Sequence, residues 1–67
     1  MNNINFEIQK LNKFGNEVFG DNTNFEKWLN SKSIALGNVV PKSFLKTFEG
    51  IQLVKDELGR IEQGIIS

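Results

Sequence analysis

Cysteine and histidine are both absent from this 67-residue chain. Their absence removes disulfides, thiolate zinc sites, imidazole metal ligands, the cysteine nucleophile and the commonest general base. Nothing therefore staples the fold, and 67 residues is near the lower size at which a single hydrophobic core suffices. Lack of cysteine fits a reducing compartment. Net charge is lacking too: eight Lys and Arg balance eight Asp and Glu, so no overall field gathers nucleic acid or anionic lipid. No apolar run approaches the ~20 residues that span a bilayer, and the opening Met1-Asn2-Asn3-Ile4-Asn5 has no basic region followed by an apolar one. These absences predict one soluble, cytoplasmic domain over 1–67, without metal or cofactor.

What is present is helical periodicity. Ile4, Ile8, Leu11, Phe14 and Val18 recur at the three-and-four spacing of one helical stripe, with Phe19 at its edge. Gly15 interrupts that stripe at about 1 kcal/mol against alanine, which points to close approach of another helix or to a kink. Gly20 suits a left-handed cap. Thr23 and Glu26 have the spacing of a capping box, with Asn22 or Asn24 as other caps, and Phe25, Trp28 and Leu29 then share one face of a two-turn helix. Trp28 reads as core or as an exposed anchor.

Gly37-Asn38 suits a turn with positive φ, and Pro41 suits the first position of a short helix with Phe44 and Leu45 on its apolar side. Val40 before it has no side-chain acceptor to serve as a cap. Thr47 is a good cap for the last helix, with Glu49 near the positive end of the helix dipole. At 100° per residue Ile51, Val54, Leu58, Ile61 and Ile65 form one narrow core stripe, and Leu53 and Arg60 fall nearly opposite, flanked by Asp56 and Glu57. Asp56–Arg60 and Glu57–Arg60 are both pairs of ordinary helical spacing. A leucine beside an arginine is either a stray residue on a solvated face or the mixed patch that interfaces prefer. The pattern predicts an all-α, single-core bundle of about four helices, approximately 3–19, 24–30, 41–46 and 48–63.

The search for chemistry is negative. Eight scattered carboxylates give no poised acid–base pair, isolated glycines give no phosphate loop, and the serines have no histidine to activate them. A helix-turn-helix around "LGNVVP" would have "PKSFLKT" as its recognition helix, which is short and has two lysines, too few for the phosphate contacts such a motif needs. The residues predict a protein that is not an enzyme.

The order of several short runs resembles a known family. "VFGD" (Val18 to Asp21), "WLN" (Trp28 to Asn30), "ALG" (Ala35 to Gly37), Pro41, Thr47 with Gly50, Val54 and "LGRIEQG" (Leu58 to Gly64) look like the toxin-binding domain of the MbcA/ParS/Xre antitoxins, over about residues 14–67. The resemblance implies a small helical module that binds and neutralises a RES-domain, NAD-consuming toxin by occluding its active site. Trp28, Gly37, Pro41, Gly50 and Gly59 match positions of structural role, the last for close helix packing. Leu53, Glu57, Arg60, Gly64, Ile65, Ile66 and Ser67 are the candidate toxin-binding residues, with Gly64 ending the helix, Ile65 entering the core and Ile66 and Ser67 left to meet a partner.

Two features depart from the family pattern. Fuller members have an N-terminal helix-turn-helix domain. Here one helix precedes the matching region, so no such domain is expected and DNA binding is not carried over. In "LGNVVP" a second glycine and a cap before the proline are replaced; Asn38 keeps the turn chemistry and Val40 loses the cap. Two other functions stay open: a self-association module in which Phe6, Leu53 and the terminal isoleucines make a homodimer, and a small DNA-binding regulator.

Overall fold

The computed structural model describes residues 3–66, with side chains described through residue 64. Three α-helices make the bundle: α1 (Ile4–Phe19), α2 (Asn22–Leu29) and α3 (Phe48–Ile66). Two 3₁₀ turns, Ile34–Leu36 and Pro41–Phe44, lie in the connector between α2 and α3. Among the described residues there is no strand, only an isolated antiparallel bridge between Ser33 and Val39. α1 packs on both other helices, and the Pro41–Phe44 turn lies against α3 and α2.

Local chemistry sets each boundary. Asn3 caps α1 rather than joining it, its Oδ1 accepting from the N–H of Phe6 at 3.0 Å. Gly20, at φ 86°, ends α1 in the left-handed conformation expected of it. The capping box of Thr23 and Glu26 does not form. Asp21 is the cap, its Oδ1 accepting from the N–H of Asn24 at 2.8 Å, so α2 starts at Asn22 and ends at Leu29 instead of covering 24–30. An aspartate brings a full negative charge to the positive end of the helix dipole, which a threonine does not.

The helix expected over 41–46 is a single 3₁₀ turn. Ser43 N–H donates to the Val40 carbonyl at 3.0 Å and Leu45 N–H to that of Lys42 at 3.2 Å, the three-residue ring of a 3₁₀ helix. Val40 gives no side-chain cap, as expected, and the Ser43 hydroxyl donates to the Val40 carbonyl at 2.7 Å. Three residues later Thr47 opens α3, its Oγ1 accepting from the N–H of Gly50 at 2.9 Å, which leaves no length for an α-helix in between. α3 then runs through Gly64 to Ile66, past the end expected near 63, so Gly64 does not terminate it. Glycine lowers helix propensity by about 1 kcal/mol without forbidding the conformation.

Leu11, Phe25, Leu29, Ile51, Val54 and Leu58 form the core. Phe25 is fully buried against Gly15, where a Cβ would overlap its ring, so the glycine serves close approach rather than a kink. Trp28 is half-buried, its ring 5.8 Å from that of Phe19 and 6.2 Å from that of Phe25, which places it at the edge of the core. Gly50 is buried under the Phe44 carbonyl, where a side chain has no room. Gly59 corrects the expectation made of it: a Cβ there would meet nothing within 4 Å. The buried arc of α3 runs from Glu57 through Gly50, Val54 and Leu58 to Ile51, so its centre lies near Val54 and Gly59 points well away. Ile61, one heptad after Val54 and near the centre of that arc, is only half-buried, and the Ile65 side chain lies outside the described residues.

Candidate functional site

With Ile51, Val54 and Leu58 turned inward, α3 presents Leu53 and Arg60 to solvent. Leu53 is 50% exposed although it is a large apolar residue in the middle of a well-capped helix. The Arg60 side chain is 69% exposed and its Nη1 donates to Glu57 Oε1 at 2.6 Å. Of the two carboxylates spaced to reach Arg60, Glu57 makes the pair, while Asp56 Oδ1 accepts from Gln52 Nε2 at 2.9 Å.

Glu57 departs from the sequence reading. It was expected on a solvated flank, but its side chain is only 11% exposed. Gly50 lies seven residues earlier on the same flank, and the Phe44 carbonyl sits on that glycine. The Pro41–Phe44 turn, where the sequence suggested a short helix with Phe44 and Leu45 on its apolar side, packs on this side of α3, and the core arc widens to include Glu57. A carboxylate so placed has little freedom, and it holds Arg60 by one edge of the guanidinium. The Arg60 side chain stays 69% exposed, and a guanidinium has five N–H donors, more than one carboxylate oxygen can use.

The other predicted site residues divide by position. Gly64 is exposed within α3, two turns after Glu57 along the same side. The side chains of Ile65 and Ile66, and all of Ser67, lie outside the described residues. Gly37 (φ 88°) and Asn38 (φ 62°) both take the left-handed conformation expected of the turn, and Pro41 is buried as the first residue of its 3₁₀ turn. Leu53, Glu57 and Arg60 are therefore brought together, while Trp28, Gly37, Pro41 and Gly50 support the frame.

Two further surface features accompany the site. An apolar-floored recess of about 300 Å³ lies between α1 and α3, lined by Glu7, Lys10, Leu11, Phe14, Ile51 and Lys55. Lys55 leaves α3 on the side away from Leu53 and Arg60, so the recess is separate from that row. Beside it Phe6 is half-exposed, with the Lys10 ammonium 5.1 Å from its ring centroid and 3.3 Å from Glu7. On the connector, Ile34 is 89% exposed, which the sequence reading missed. The available signal was an isoleucine with no periodic apolar partner between Ser33 and the Gly37-Asn38 turn.

Among the described residues no group of three Asp, Glu, His or Cys is arranged to hold a metal ion, and no helix is long and apolar enough to cross a membrane. What the site offers is a half-exposed apolar side chain beside an oriented cation, which is contact chemistry. A family model described as the antitoxin Xre/MbcA/ParS C-terminal toxin-binding domain matches residues 15–64. No curated protein and no solved structure matches the chain.

Proposed function

The chain belongs to the antitoxin Xre/MbcA/ParS C-terminal toxin-binding domain family, and we propose that it neutralises a RES-type, NAD-consuming toxin by laying the outer row of α3 across the entrance to the toxin's active site. The observation that carries this reading is the contrast on α3 between a filled inner face and an outer row where Leu53 and Arg60 stand exposed, the arginine oriented by the nearly buried Glu57. Leu53 supplies apolar burial. Arg60 supplies charge-assisted hydrogen bonds of ~1.5–3 kcal/mol to acceptors on the toxin. Gly64, Ile65, Ile66 and Ser67 extend the contact beyond Arg60. The domain acts by occlusion, in the cytoplasm, and contributes no catalytic group or cofactor of its own.

The test is inhibition of a RES toxin's NAD consumption by the purified chain, with Arg60→Ala and a variant lacking the last three residues. Loss of inhibition with helical circular dichroism intact supports the reading, and full inhibition by the combined variant removes this surface from it. A homodimer through Phe6 and Leu53 is the second reading, favoured by their half-exposure, and sedimentation that finds only monomer at high micromolar concentration eliminates it. DNA binding has less support, because the Pro41–Phe44 segment is one 3₁₀ turn, too short to lie along a major groove.

A further inference from the structure

The zero net charge of the chain conceals a segregation. Residues 27–48 contain Lys27, Lys32, Lys42 and Lys46 and no Asp, Glu or Arg, a net charge of +4, so the rest of the chain totals −4. All four lysines are exposed. Lys10–Glu7 and Arg60–Glu57 are ion pairs among the described residues, and none of the four takes part in either.

In the middle of this basic segment stands Ile34, 89% exposed and the most exposed large apolar side chain among the described residues. It is held out by an ordered loop. Ser33 N–H donates to the Val39 carbonyl at 3.0 Å, Asn38 N–H to that of Ser33 at 2.8 Å and Gly37 N–H to that of Ile34 at 3.1 Å. Leu36, two residues on, turns inward onto the core, so the loop is anchored on one side while Ile34 points out on the other. An apolar side chain on a pre-ordered loop loses little conformational freedom when it binds, which is the property of an anchor residue. Lys32 directly precedes the Ser33–Val39 bridge, Lys42 lies in the Pro41–Phe44 turn that follows it, and Lys46 comes after that turn. The basic segment also adjoins the α3 site, because the Phe44 carbonyl sits on Gly50 on the flank that includes Glu57.

We infer that residues 27–47 form a second docking face, on which Ile34 enters an apolar recess of the toxin while Lys27, Lys32, Lys42 and Lys46 face a carboxylate-rich rim around that recess. The inference rests on the reading of the partner as a toxin, and it adds the partner's chemistry: an acidic surface with an apolar pocket, next to the region that α3 covers. Like-charged, unpaired lysines steer an oppositely charged protein and set the rate of encounter, and the anchor sets the lifetime of the complex.

Association of the full chain with a purified RES-domain toxin, followed across a salt series, tests this. Ile34→Ser should weaken binding about tenfold, mainly through faster dissociation, at an unchanged melting temperature. Changing the four lysines to glutamine should slow association about tenfold at low salt and flatten its salt dependence. If both variants bind as the wild type does while Arg60→Ala fails, the second face is absent and the α3 reading stands. If the lysines and Ile34 instead govern binding to phosphatidylserine vesicles with toxin affinity unchanged, the face belongs to a membrane and the inference is overturned. If the wild-type chain does not bind the toxin, both readings fall together.

Discussion

The two faces of α3 differ in what covers them: the inner one is apolar and packed, and the outer one leaves Leu53 and Arg60 exposed. Ile51, Val54 and Leu58 are buried in one core with Leu11 of α1 and Phe25 and Leu29 of α2, while Leu53, one position from Val54, is half-exposed. Glu57 stands at the border and belongs to both, packed like a core residue and paired to an exposed arginine. On the proposed reading, the difference teaches that stability and recognition are separated by only about a third of a helical turn. Substitutions that respect the border should change one property and leave the other.

The largest effect should come from the inner face. Leu58→Ala removes a fully buried side chain and should cost about 2–5 kcal/mol, enough to unfold much of so small a domain, as read by chemical denaturation. Phe25→Ala should fall in the same range, because its ring fills the space that Gly15 leaves open. Arg60→Ala should reverse the pattern: toxin affinity falls by about 1.5–3 kcal/mol, seen by calorimetric titration, while the unfolding midpoint moves little. Glu57→Gln sharpens the border, keeping the shape and removing the charge that orients Arg60; it should weaken toxin binding by less than Arg60→Ala does. Asp21→Ala loses the cap of α2 and should cost about 1 kcal/mol of stability with no effect on binding, measured by thermal unfolding and the same titration. Leu53→Ser is the smallest in stability, within about 0.5 kcal/mol.

Much of the frame was legible because it depends on local chemistry. The α1 stripe, the Gly20 cap, the positive φ at Gly37 and Asn38, the Thr47 cap and the close approach at Gly15 all follow from residue type and spacing, and the structure has each of them. The start of α2 was misplaced because two caps compete within three residues, and the charge on Asp21 outweighs the tidier spacing of Thr23 with Glu26. The larger errors share one cause. Periodicity gives the direction of an apolar stripe but not which neighbours flank it, and the Pro41–Phe44 turn packs on the Gly50 side of α3. That contact buries Glu57, rotates the centre of the core toward Val54 and leaves Gly59 in the open, none of which a single helix can reveal.

The outer row of α3 as the toxin contact is the claim on which the rest depends. The chain has no cysteine, so a single thiol can report on one position at a time. Leu53→Cys places a thiol on the outer row and Lys55→Cys places one at the recess between α1 and α3. Their alkylation rates, measured with and without a saturating RES toxin, give the most direct test. The account predicts that the toxin protects the thiol at position 53 strongly and leaves the one at 55 reactive; protection at 55 with position 53 still open would contradict it.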